Sequence, residues 1–393
     1  MWIKSFIRGY ISFLKSALRP PLLVVVCSLL VLGPYVRAQL LAYEIVQRKA
    51  AYGDSLARAG AALTAEFFVM ALVAFSVWPW IRRAADFYGF AWVGLVCSVG
   101  AESAFFIKNE AAWPNWVAAG IGSGLLLAVA ARLVGRSKER GKTLAGILSG
   151  TSLLGFLFTL ILPGGGDPNG LLHLHAVLIV FLTGSLALWR RVKSADGTEC
   201  TAAGSHNKRS GDRWVAFAAL TVAVSIGVLA SAALLQAGTN SEQEANVSRV
   251  ILGLGLGVIG SLVFEFMPGN QRGIARFALL APVLAAVLGL WGGDAGFHAV
   301  SLISVAAFYL IPWLCECQSS QGSGVLILSV LPLGIALGSW LVLVAAADAN
   351  LSRALIGIPI LATAACLVVA WQKRRANPAR SGHATAVPMP NHA

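Results

Sequence analysis

Residues 113–134 read WPNWVAAGIGSGLLLAVAARLV, a run with a single charge placed near its far end. Runs of this kind recur near 21–44, 59–81, 90–108, 113–134, 143–162 and 171–190, and again near 214–236, 248–268, 274–292, 296–315, 323–347 and 351–372. About 20 apolar residues are what an α-helix needs to cross the hydrocarbon of a bilayer. A soluble domain cannot hide so many such runs and still wet its surface. Only 12% of the residues are charged, against about a quarter in soluble domains. The pattern predicts an all-α integral membrane protein of twelve transmembrane helices.

The polar remainder sets the organisation. The stretch RVKSADGTECTAAGSHNKRSGDR is polar and mixed in charge, which is linker composition. It predicts an N-terminal six-helix bundle at 1–191, a cytoplasmic linker at 192–213 and a C-terminal six-helix bundle at 214–372. The end of the sequence, 373–393, opens on Lys373, Arg374 and Arg375, turns Pro- and Ala-rich, and is expected to be a disordered cytoplasmic tail held at the lipid surface. Both termini are expected in the cytoplasm of a cell inner (plasma) membrane. That orientation leaves all but seven of the 30 Lys and Arg on cytoplasmic loops, tails or helix ends, the exceptions being Arg37, Arg48, Lys49, Arg58, Lys108, Arg249 and Arg353. The basic start, the apolar LLVVVCSLLVLG and Val36-Arg37-Ala38 also resemble a cleavable signal; retention as the first span is the expectation, because it gives an even helix count.

The net charge of +13 does not mark a nucleic-acid binder, since no basic stripe is interleaved with exposed aromatics. Phosphate-binding loops, nucleophile elbows and zinc-protease helices are absent from the sequence, so neither an enzyme nor a cofactor is expected. Cys315 and Cys317 form a tight pair without the second pair of a zinc site. His173 and His175 are two apart and point to different helix faces, and His298 opens another span; no metal site is expected. Trp78, Trp80, Trp113, Trp116, Trp189 and Trp371 lie near span ends, where tryptophan favours the membrane interface.

Two stretches carry more than composition. The bend IRRAADFYGFA (81–91) keeps Arg82, Arg83 and Asp86 together between two apolar runs, and FEFMPGNQRGIA (264–275) occupies the matching place in the second half. Asp86-Phe-Tyr-Gly89-Phe-Ala aligns with Asn270-Gln-Arg-Gly273-Ile-Ala, which suggests a duplicated unit. Gly89 is expected to let the backbone turn. In the fourth span Gly120, Gly122 and Gly124 remove side chains where helices pack closely. Arg132, at that span's cytoplasmic end, is expected to snorkel to the interface.

Six spans, a polar linker, six spans and these motifs resemble the major facilitator superfamily. Asp86 and Gly89 stand at the Asp and second Gly of its Gly-x-x-x-Asp-Arg/Lys-x-Gly-Arg-Arg/Lys bend; Arg82, Phe87 and Phe90-Ala91 stand where the family has glycine, a basic residue and a basic pair. Trp116 holds the place of an arginine linked in relatives to proton coupling, and the fifth span lacks the Gly-Pro of drug antiporters. The resemblance implies an alternating-access secondary transporter, expected to be a monomer, for a small organic solute, coupled to an ion or proton gradient. An efflux carrier for hydrophobic or cationic compounds and a non-transporting sensor or partner protein remain as alternatives.

Charges within spans are costly and mark candidate sites. Arg37 in the first span, Glu66 in the second and Glu102 in the third all fall in the outer half of the first bundle, as a substrate and proton path or as a structural ion pair. Glu265 near Arg272 and Arg276 is expected to support the second bend. Arg82, Arg83, Asp86 and Gly89 form the expected cytoplasmic gate, with Asp86 docking near Ser319–Gly324 at the start of the eleventh span, where free N–H groups favour a carboxylate.

Overall fold

The computed structural model describes residues 25–31, 55–84, 87–108, 113–136, 140–141, 143–148, 150–151, 184, 209–237, 271–291, 294–317, 323–345 and 354–376. Among them stand eight long helices: α1 (Ser55–Arg83), α2 (Tyr88–Lys108), α3 (Trp113–Arg136), α4 (Arg209–Ala237), α5 (Gln271–Trp291), α6 (Asp294–Cys317), α7 (Ser323–Ala345) and α8 (Gly357–Ala376). They correspond to the expected spans 2, 3, 4, 7 and 9 to 12. Helical residues 25–31 and 143–148 represent spans 1 and 5. Span 6, apart from residue 184, and span 8 lie outside the described residues. Five helices hold apolar stretches long enough to cross a membrane: 64–83, 113–135, 213–232, 298–315 and 328–345. The chain is a multi-pass membrane protein.

Local chemistry sets the helix ends. α1 stops at Arg83, with Arg82 and Arg83 in its last turn, where cations suit the negative end of the helix dipole. The Ala84 N–H still donates to the Trp80 carbonyl at 2.9 Å. α5 begins at Gln271, ahead of the expected 274, and takes Arg272 and Arg276 into its first turns. α8 begins later than expected because residues 355–356 form a turn, closed by the Ile358 N–H donating to the Leu355 carbonyl at 3.1 Å. Pro359 then falls in the first turn, where the lack of an N–H does no harm.

Helix α3 packs against α1, α2 and α7, while α4 packs against α6, α7 and α8. α7 also packs on α1, so it joins the two groups of helices.

A close crossing lies between α4 and α7. A Cβ placed on Gly338 would stand 2.7 Å from Val228 N and 2.9 Å from Gly227 Cα, and one on Gly227 would stand 3.0 Å from Ile335 Cα. Backbones can approach like this only where both surfaces lack side chains. Beside the crossing, Ser231 Oγ donates to Ser339 Oγ at 2.9 Å.

The first half repeats the device. Gly150 lies against Ser28, whose Oγ donates to the Ile147 carbonyl at 3.3 Å, and Thr151 Oγ1 donates to the Ser28 carbonyl at 3.3 Å. Gly150-Thr151 and Gly338-Ser339 each set a glycine and a neighbouring hydroxyl against another helix, the first against a side chain and the second against backbone.

Candidate functional site

The three glycines of the fourth span divide their work by helical geometry. Gly120 and Gly124 are four apart and share the face toward α1: a Cβ on Gly120 would stand 2.8 Å from the Glu66 carbonyl oxygen, and one on Gly124 2.6 Å from the Met70 carbonyl oxygen. Gly122 is turned about 200° away. It meets α2 instead, with Gly94 O and Ser98 N both 2.6 Å from a Cβ. α3 is therefore wedged between α1 and α2, and any side chain at these positions would push one of them off.

Burial along α3 is graded. Trp113 is 76% exposed and Asn115 to Ala118 are half-buried, whereas residues 125–131 are all buried, followed by Leu133 and Val134. Seven consecutive buried positions cover every direction around a helix, so α3 is enclosed on all sides toward its C-terminal end.

Glu66 belongs to the stripe of α1 that faces protein, with Met70, Ala74 and Ile81. Its side chain is only 3% exposed, and its backbone is level with Gly120. That is the depth at which α3 passes from half-exposed to enclosed. Glu102 lies in the last two turns of α2. Arg37, Asp86, Glu265, His173, His175 and Trp189 lie outside the described residues, as does 318–322, the stretch before α7. His298 is exposed in the second turn of α6.

The bend differs from the sequence expectation in two respects. Gly89 stands in the first turn of α2 with an ordinary helical backbone, and nothing lies within 4 Å of a Cβ placed there. The turn itself makes no demand for glycine at that position. Arg132, expected to reach for the interface, turns inward instead. Its Nη1 donates to the carbonyls of Ile81 and, at 2.8 Å, of Ala84. Its guanidinium carbon lies 4.2 Å from the centroid of the buried Phe87 ring.

The physical reason lies at the end of α1. The last carbonyls of a helix have no intrahelical donors and carry partial negative charge. A guanidinium meets two of them at once, and its flat face suits an aromatic ring. Arg82 and Arg83 remain exposed on the outside of the same turn. The sequence held the signal for Arg132, as the lone charge in its apolar run, and for Phe87, an aromatic ring where a basic residue was expected.

Other exposed features are those of a lipid-facing surface. Trp80, Trp113 and Trp371 are exposed at helix ends, while Trp78 and Trp116 are half-buried. Among the described residues no cluster of His, Cys, Asp or Glu could hold a metal ion.

Neither a family model nor any curated protein matches the chain. Solved structures do. A major facilitator superfamily transporter, FucP, in the outward conformation aligns over 89% of this chain and 98% of its own, with 14% identity and a TM-score of 0.60. The human organic anion transporter MFSD10 aligns over 88% and 98%, with 15% identity and the same TM-score of 0.60. A structure of the E. coli fucose:proton symporter FucP aligns over 89% and 98%, with 16% identity and a TM-score of 0.55. The chain has the fold of the major facilitator transporters.

Proposed function

We propose that this protein is a secondary transporter that moves a small organic solute by alternating access, with Glu66 taking up and releasing a coupling proton. The graded burial of α3 is the observation that carries this reading. A helix half-buried over Asn115 to Ala118 and enclosed over 125–131 suits a path open to one side of the membrane and shut at the end bearing the 81–91 bend. The likeness to a structure in the outward conformation supports the same state. Glu66 stands at the depth where access would stop, so its protonation would be felt by both openings of the path.

With this reading go twelve spans in two six-helix bundles, at 1–191 and 214–372, joined by the linker 192–213. Both termini face the cytoplasm, the protein acts as a monomer in the inner membrane, and Arg37 and Glu102 lie near the path. Arg82, Arg83, Asp86 and Gly89 belong to the gate at the closed end.

Proteoliposomes containing the full chain test the proposal, with a fucose-like hexose and an organic anion as probes, each with and without a proton gradient. The expected result is gradient-driven accumulation of one of them. Glu66→Gln should retain solute exchange and lose the accumulation. Transport indifferent to the gradient would refute the proton role of Glu66. A folded protein that neither binds nor moves any solute class would refute transport itself.

A further inference from the structure

The exposed face of α8 follows a helical stripe: Ile360, Ala364, Leu367, Trp371 and Arg375 succeed one another at spacings of three or four. Ile360, Leu367 and Trp371 are each half or more exposed, while Ala362, Ala365, Cys366 and Val369 on the other side are buried. In a bilayer such a stripe faces lipid, and its aromatic end marks the headgroup level. Arg375 lies one turn beyond Trp371, and its guanidinium carbon is 3.8 Å from the Trp371 ring centroid.

The neighbouring cation has a different position. Lys373 is turned about 200° from Arg375 around the helix, and its Nζ donates to Cys317 Sγ of α6 at 3.7 Å. Two cations of equal charge and nearly equal height thus occupy opposite sides, one facing the membrane and one drawn to the protein.

We propose that Arg375, stacked on Trp371, is a seat for the phosphodiester of a phospholipid in the adjacent leaflet. Stacking covers one face of the guanidinium and leaves its edge donors free in a plane. That is the fork geometry that binds a phosphate through two parallel hydrogen bonds. Among the described residues Arg375 has no carboxylate partner to compete for those donors. The ring and the Leu367 side chain below it provide apolar contact for the glycerol and upper acyl chain. This is a discrete site, distinct from the general attraction of a basic helix end for a membrane surface, and it is independent of which solute the protein carries.

The test sets the two cations against each other. Full-length protein is taken from nanodiscs of phosphatidylglycerol and phosphatidylcholine, and the lipids retained per protein are counted by native mass spectrometry. Arg375→Gln should reduce retention about fivefold, the effect of one well-placed cation, and Trp371→Leu should reduce it as well. Lys373→Gln should leave it unchanged. Arg375→Lys should restore it only in part, because an ammonium keeps the charge without the fork. Equal losses in Arg375→Gln and Lys373→Gln would overturn the proposal in favour of diffuse attraction, and no loss in either would overturn it outright. Displacement of the retained lipid by millimolar inorganic phosphate would identify a free-anion site and overturn the lipid assignment. Arg375 is exposed at a helix end, so all four variants should elute as folded protein, and elution volume checks this.

Discussion

Replacing Gly338 by alanine tests the α4–α7 crossing directly. The new methyl would meet Val228 N at 2.7 Å, about 0.7 Å short of the 3.4 Å at which ordinary contact begins, and Gly227 Cα at 2.9 Å. Both are backbone atoms, and so is Val224 O, the nearest of the three. None can rotate away, so the two helices must separate. Overpacking of this kind costs about 1–3 kcal/mol. Separation also stretches the adjacent Ser231–Ser339 hydrogen bond, worth about 0.6 kcal/mol between membrane helices. The expected total is about 2–4 kcal/mol. Reversible unfolding in mixed micelles of increasing sodium dodecyl sulfate content measures it, with wild type and Gly89→Ala alongside. Gly89 has open space and helical backbone, so Gly89→Ala should be neutral or stabilising by up to about 1 kcal/mol. A Gly338→Ala midpoint equal to wild type would refute the account of this crossing, because relief by side-chain movement is not available there.

Arg132→Gln should cost about 2 kcal/mol by the same unfolding assay, through the lost charged hydrogen bonds and the stack on Phe87; Arg132→Lys should recover only part of it. Ser98 Oγ and Ser329 Oγ are buried without a hydrogen-bond partner, so Ser98→Ala and Ser329→Ala should leave stability unchanged or raise it by about 1 kcal/mol, a result opposite to the loss expected for Ser339→Ala. In a Cys97→Ser, Cys200→Ser background, a membrane-impermeant maleimide should label Cys317, which is half-buried beside Lys373, and leave the buried Cys27, Cys315 and Cys366 unmodified. Labelling from the cytoplasmic side alone would agree with the proposed orientation.

The helices were legible because lipid leaves a strong mark on sequence: a span must stay apolar for its whole crossing, and α1 to α8 fall where the runs do. Their ends were less so. The start of α5 admits Arg272 and Arg276, since a helix may continue past the hydrocarbon boundary at no penalty in the interface. The close approaches were legible as residue type but not as partner. Gly120, Gly122 and Gly124 announce close packing, yet nothing in their spacing says that two face α1 and one faces α2. Gly150-Thr151 and Gly338-Ser339 gave even less, because a small residue followed by a hydroxyl is common in any apolar run. The direction of Arg132 is hidden for a related reason. A cation at a span end can move outward to water or inward to a helix terminus, and only the position of the Ile81 and Ala84 carbonyls decides between them.

The inward turn of Arg132 bears on how such a chain changes over time. Besides its own Arg82 and Arg83, the end of α1 receives a positive charge on its last carbonyls from a residue 48 positions away from Ala84 in the chain, carried on a helix packed on three sides. The loop beside it is thereby relieved of one electrostatic duty. Phe87, in the connection after the end of α1, supplies the surface on which the guanidinium rests. In space, Arg132 brings that charge from α3, a helix packed against α1, α2 and α7, and not from the connection itself.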